Sequence, residues 1–187
     1  MKFGIIYCDP AWDYKGQKQH NGKLGKETGS ASKYYDTLKL KELKTMPVYD
    51  IADEDCLLFM WVTSPHLDQG ITLIKTWGFK YSTIGFVWNK MRVNPSYYTM
   101  SQCEICLIAK KGRIPKPRGA RNVRQYVEEK RREHSQKPDV VKERINEMFP
   151  IQRKIELFAR KPTDGWYYWG NEVTSNFDFN KLWERNE

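Results

Sequence analysis

An acid, a proline and an aromatic residue stand together at Asp9-Pro10-Ala11-Trp12. They follow the apolar run Phe3-Gly4-Ile5-Ile6-Tyr7-Cys8, which reads as a buried strand. At a strand tip Asp9 supplies a hydrogen-bond acceptor. Pro10 has no N–H and a restricted φ, so its carbonyl is aimed in a set direction. Trp12 offers a flat face on which a base could stack. A planar ring carrying an NH2 group would engage all three at once. A strand, a turn and a core tryptophan are the plainer account of the same residues.

The segments that must position this tip alternate between strand and helix patterns. Residues 57–62 (Leu-Leu-Phe-Met-Trp-Val) form a continuous apolar run, as expected for a strand covered on both faces. Ser64-Pro65 opens a helix with its apolar stripe at Leu67, Ile71, Ile74 and Trp77, closed by Gly78. A shorter helix is expected from an N-cap at Thr37 through Leu38, Leu40, Leu43 and Met46, stopping before Pro47. Residues 79–88, 103–109 and 154–160 read as further strands, and Pro138 starts a helix striped by Val141, Ile145 and Met148. This rhythm defines an α/β domain with a mostly parallel sheet and helices on both faces. At 187 residues a single domain over 1–187 is expected.

Two polar stretches interrupt the pattern. Residues 15–33 carry five lysines and little to bury, and residues 89–100 mix Lys90 and Arg92 with Tyr97 and Tyr98. Both are expected to be mobile loops that meet a substrate. Net charge is +9, and residues 110–132 hold ten Lys/Arg against Glu128 and Glu129. That stretch is +8 on a near-neutral body, the pattern expected for docking a polyanion. Candidate nucleic-acid contacts are Tyr14, Lys15, Lys18, Arg92, Arg113, Lys116, Arg118 and Arg121. The tail over 173–187, with Phe177, Phe179, Leu182 and Trp183, is expected to pack or to meet a partner.

Other function classes find less support. No run approaches the ~20 apolar residues of a membrane span. With a single Lys before the first strand, no signal peptide is expected, and the chain reads as intracellular and cytoplasmic. Cys103 and Cys106 form one C-x-x-C without a second pair, which favours core packing over a zinc or redox site. No metal is expected.

Taken in order, several landmarks resemble the MT-A70 family of adenine methyltransferases, from about Phe3 to Glu172. They are Asp9-Pro10-Ala11-Trp12; Leu58-Phe59-Met60-Trp61-Val62; Trp77-Gly78-Phe79; His134-Ser135-Gln136-Lys137-Pro138; Glu156-Leu157-Phe158-Ala159-Arg160; and Trp169-Gly170-Asn171-Glu172. The resemblance implies a Rossmann-like methyltransferase fold with permuted motif order, using S-adenosylmethionine and releasing S-adenosylhomocysteine. It accounts for the lack of a G-x-G-x-x-G fingerprint. It implies that Lys137 meets the methionine carboxylate, that Arg160, Asn171 and Glu172 line the adenosine and ribose end, that Glu156 supports Arg160, and that Ser135 contributes. It implies Asp9, Pro10 and Trp12 as the catalytic set. Ala11 stands where the family has a second proline, so this loop is expected to be less rigid.

The implied chemistry is methylation of the exocyclic 6-amino group of adenine in DNA. RNA adenosine, or a non-catalytic nucleic-acid-binding subunit, are the alternatives. A homodimer or a partner subunit is compatible with the chain. A base inside a duplex would have to flip, stacking on Trp12 and Tyr14.

Overall fold

The computed structural model describes residues 1–12, 39–95, 98–132 and 136–184. Its sheet is laid out around the apolar run near the start of the chain. β1 (Phe3–Cys8) is buried along its whole length. It pairs in parallel with β2 (Ala52–Val62) on one side and β6 (Lys154–Leu157) on the other. A strand with neighbours on both sides and helices over both faces has no polar side, hence its unbroken apolar sequence.

Among the described residues the sheet has seven strands in the order β5-β3-β4-β2-β1-β6-β7, with β3 at Lys80–Asn94, β4 at Ser101–Lys111, β5 at Tyr126–Glu128 and β7 at Tyr167–Trp169. β4 runs antiparallel to both β2 and β3, and the other pairings are parallel. The mostly parallel reading therefore stands, with one reversed strand. That reversal follows from a hairpin. β3 continues to Asn94, which pairs with Ser101, so the first half of the stretch expected as a loop at 89–100 is strand. The polarity of 89–94 hid this: Lys90 is buried through its pairing with Glu104, while the apolar Met91 and Val93 are exposed. The other expected loop, 15–33, lies outside the described residues, as does Thr37.

Alternation along β2 divides the core. Cys56, Leu58, Met60 and Val62 face α1 (Leu40–Thr45), α2 (Val48–Ile51) and α3 (Leu67–Thr76) through Leu43, Ile51 and Leu73. Leu57, Phe59 and Trp61 face α4 (Asp139–Met148) through Val141 and Ile145. Each such side chain contributes about 1.5–3 kcal/mol by leaving water. The tail also packs: Phe179 is fully buried ahead of α5 (Asn180–Trp183), and Trp183 Nε1 donates to Thr45 Oγ1.

Local departures have local causes. Ser64-Pro65 forms a 3-10 turn over Ser64–His66, with Thr63 Oγ1 2.9 Å from His66 Nδ1, so α3 begins at Leu67. Gly78 follows the end of α3 at φ +77°, where a Cβ would collide with the Tyr49 ring. β6 stops at Leu157 because Phe158 turns the chain at φ +64°, leaving Arg160 beyond the strand.

The topology gives the sheet two distinct ends. At one lie the carboxyl ends of β1, β2 and β6, the start of β4 and the start of α4. At the other lie the amino ends of β1, β2 and β6, the end of β4 and the end of α4.

Candidate active site

Asp9 follows the last residue of β1, at the carboxyl end of the sheet, where open α/β sheets bind ligands. It lines a cleft with Pro10, Trp12, Thr63, Glu104, Lys137, Phe158, Arg160, Asn171 and Glu172. Asp9, Pro10 and Trp12 therefore converge with Lys137, Arg160, Asn171 and Glu172, as the sequence led us to expect.

Charge organises the cleft. Lys137 Nζ donates to Asp9 Oδ2 at 2.6 Å. The same ammonium lies 3.2 Å from Glu104 Oε2, and Lys90 Nζ donates to Glu104 Oε1 at 3.2 Å. Lys90, Glu104, Lys137 and Asp9 thus form a row of alternating charge, each with a side chain no more than 21% exposed. Glu104 Oε2 is buried and makes no aligned hydrogen bond among the described residues. Burial pushes the Asp9 carboxyl above its ordinary value, while Lys137 draws it back. Burial would also raise Glu104, but Lys137 and Lys90 outweigh it and hold this carboxyl below the ordinary range. Lys137 is held protonated by its two acids against the cost of burial. Nearby, burial raises the thiols of Cys8 and Cys106, which makes them packing groups rather than nucleophiles.

The structure shows what several of the expected site residues touch. Trp12 is buried in the core, its Nε1 donates to Trp61 O at 3.3 Å, and its ring stacks on His66 with centroids 5.5 Å apart. One indole face is thus already covered, and the residue anchors the loop after Asp9. The Pro10 carbonyl accepts the Trp12 N–H at 2.8 Å, leaving one lone pair for a ligand. Glu156 accepts from Lys142 Nζ at 2.8 Å and from Thr163 Oγ1 at 3.4 Å, and Arg160 pairs with Glu172 at 3.6 Å. Alternation along β6 turns Glu156 toward Lys142 of α4. Ser135, Tyr14, Lys15 and Lys18 lie outside the described residues.

The basic candidates separate. Arg92 is on the part of β3 that projects past the carboxyl end of β2, on the side of the cleft. Arg113 and Lys116 line a different cleft, with Lys2, Asp53, Glu54 and Arg153, at the opposite end of the sheet. Arg118 and Arg121 flank Gly119 and Ala120, whose N–H groups bond to Met148 O and Glu147 O at the end of α4. These four cannot touch a base held at Asp9.

Sequence reasoning missed Glu104, and it placed Lys90 in a substrate loop rather than beside that acid. The signal was present: Glu104 is a lone acid inside the apolar strand Cys103-Glu104-Ile105-Cys106-Leu107-Ile108, where an unpaired charge would be costly. Cys103 and Cys106, three apart on β4, face opposite sides, one exposed and one buried, which a shared metal ion would not permit.

A mostly parallel α/β sheet with a charged cleft at its strand ends places the candidate site where proteins of this class bind ligands. Comparison with known proteins makes this specific: a sequence profile of the MT-A70 family matches residues 3–172, and the chain belongs to that family. MT-A70 enzymes are adenine methyltransferases that use S-adenosylmethionine. The chain is similar to the Type II methyltransferase M.MunI of Mycoplasma sp, with 48% identity across 94% of this chain and 79% of that protein. It is 28% identical to an N(6)-adenosine-methyltransferase MT-A70-like protein of Arabidopsis thaliana, covering 91% of this chain and 24% of that one. It is 25% identical to the N(6)-adenine-specific methyltransferase METTL4 of Mus musculus, covering 91% and 37%. Among the described residues no helix is long and apolar enough to cross a membrane.

Proposed function

We propose that this protein methylates the exocyclic 6-amino group of adenine in DNA, with S-adenosylmethionine bound in the cleft beside Asp9. The observation that carries the reading is the Asp9 carboxylate at the tip of β1, held by Lys137 in a cleft shared with Arg160, Asn171 and Glu172.

The residues fit the cofactor. Lys137 and Glu104, whose Oε2 lies 3.2 Å from the Lys137 ammonium, both line the cleft and match an amino acid's carboxylate and ammonium. Asn171, Glu172 and Arg160 supply donors and acceptors suited to ribose hydroxyls and an aminopurine edge. When bound, the cofactor supplies an electrophilic methyl group.

The chain's own residues do the rest. The lone pair of an aromatic amine is delocalised into its ring, so the amine is a poor nucleophile. Asp9 and the remaining lone pair of the Pro10 carbonyl accept its two N–H bonds, which favours a pyramidal nitrogen with a localised lone pair. Asp9 also offsets the positive charge that develops on that nitrogen. Lys137 keeps the carboxylate oriented, and much of the acceleration comes from alignment. Trp12 fixes the loop that carries Asp9.

The test is incubation with labelled S-adenosylmethionine and DNA or RNA, single- or double-stranded, followed by nucleoside mass spectrometry. We expect 6-methyladenine in DNA, abolished by Asp9→Ala. Unchanged yield with Asp9→Ala would overturn the reading. The Arabidopsis relative is named for adenosine, the ribonucleoside, which favours RNA as the second reading, and methylation confined to the RNA arms would establish it.

A further inference from the structure

Among the described residues, several cations that line or border the cleft are held by acids, whereas three exposed ones at the other end of the sheet are not. At the cleft end Lys90, Lys137, Arg132, Arg160 and Lys161 each sit in a salt bridge with an acid. At the far end Arg113, Lys116 and Arg121 are exposed, and none makes a salt bridge among the described residues. Asp53, Glu54 and Asp55 share this region; Asp55 Oδ1 accepts the Arg113 backbone N–H at 2.7 Å, Asp53 Oδ1 accepts the Glu54 N–H at 2.8 Å, and none of the three forms a salt bridge with these cations among the described residues. Unpaired, solvated cations are the ones that release counterions from a polyanion on contact.

Distance then decides what they grip. β1 spans six residues, so the two ends are about 20 Å apart at ~3.3 Å per residue. That exceeds the ~8 Å screening length at physiological salt. Charge at Arg113 therefore does little for a base in the cleft.

We propose that Arg113, Lys116 and Arg121 form a second nucleic-acid contact, apart from the reaction cleft, that holds the sugar-phosphate backbone of a distant segment of the same long substrate. This rests on the reading that the substrate is nucleic acid. The contact raises the local concentration of target sites, as a second linked module does.

The experiment uses the full chain carrying Arg113→Ala, Lys116→Ala and Arg121→Ala together. Methyl transfer is measured on a hairpin-closed duplex of about 8 base pairs, which extends only ~14 Å either side of a central adenine at 3.4 Å per pair. It is measured again on a duplex of about 1,000 base pairs. We expect kcat/KM on the short duplex to stay within twofold and on the long duplex to fall about tenfold. Anisotropy titration of the long duplex with the triple variant in an Asp9→Ala background needs no turnover, so its outcome is independent of the cleft reading. There the slope of log K against log salt should shrink by roughly 2.7, about 0.9 per lost contact. Equal losses on both duplexes, no loss on either, or preferential binding of polyglutamate over DNA would each overturn the proposal.

Discussion

Lys137 Nζ lies 2.6 Å from Asp9 Oδ2, joining two residues 128 positions apart in the chain. One comes from the tip of β1 and the other from the approach to α4. The contact makes Lys137 a positioning residue for the carboxylate as well as a cation of the cleft.

The pH dependence follows from this pair. Burial raises Asp9 and Lys137 lowers it, with a net upward shift. Since only the ionised carboxylate can accept both charge and hydrogen bond, the acid limb of kcat/KM should lie above the ordinary aspartate value of ~3.9. Lys137→Met removes the lowering influence, so the limb should move further toward neutral pH. A pH–rate profile with saturating cofactor checks this, and a limb that stays in place would mean that Lys137 does not act on Asp9.

Glu104 should govern acid stability. Its folded-state value is depressed, so its contribution is complete above the unfolded glutamate value of ~4.3 and is lost as pH falls through the folded value. Glu104→Gln should flatten the acid limb of Tm against pH. Glu104→Leu leaves Lys90 and Lys137 facing an apolar group and should cost about 3–5 kcal/mol in urea unfolding at neutral pH.

Trp12 should behave as a core residue. Trp12→Ala is expected to cost about 3–5 kcal/mol of stability, and Trp12→Phe about 1 kcal/mol through the lost bond to Trp61 O. Trp12→Phe should retain activity. A large rise in KM for DNA with unchanged Tm would instead reveal a base-stacking role.

Gly170 is a point of close approach beside the cleft. A Cβ there would lie 2.1 Å from Ala159 O, in the segment that carries Phe158 and Arg160. Gly170→Ala must push that backbone aside. We expect weaker S-adenosylmethionine binding by calorimetry together with a lower Tm, whereas a similar change at the solvent-open Gly165 should act through its φ of +74° alone and leave binding intact.

Much of this was legible in the chain itself. The apolar runs of β1 and β2 announce strands covered on both faces, since only such strands tolerate no polar alternation. The order of the landmarks announces the family, and it singles out Asp9 at a strand tip as the candidate for the chemistry. Local patterns carry this information because burial and turn geometry act on neighbouring residues. The tertiary structure decided what depends on register and strand direction. It set Glu104 and Lys90 beside Lys137, turned Glu156 toward Lys142, and buried Trp12 against His66. It also divided one basic stretch between opposite ends of the sheet, because β4 runs downward and β5 climbs back. A charge count along the chain cannot see that division: electrostatic forces act over distance in space, and the direction of a strand decides which distances are short.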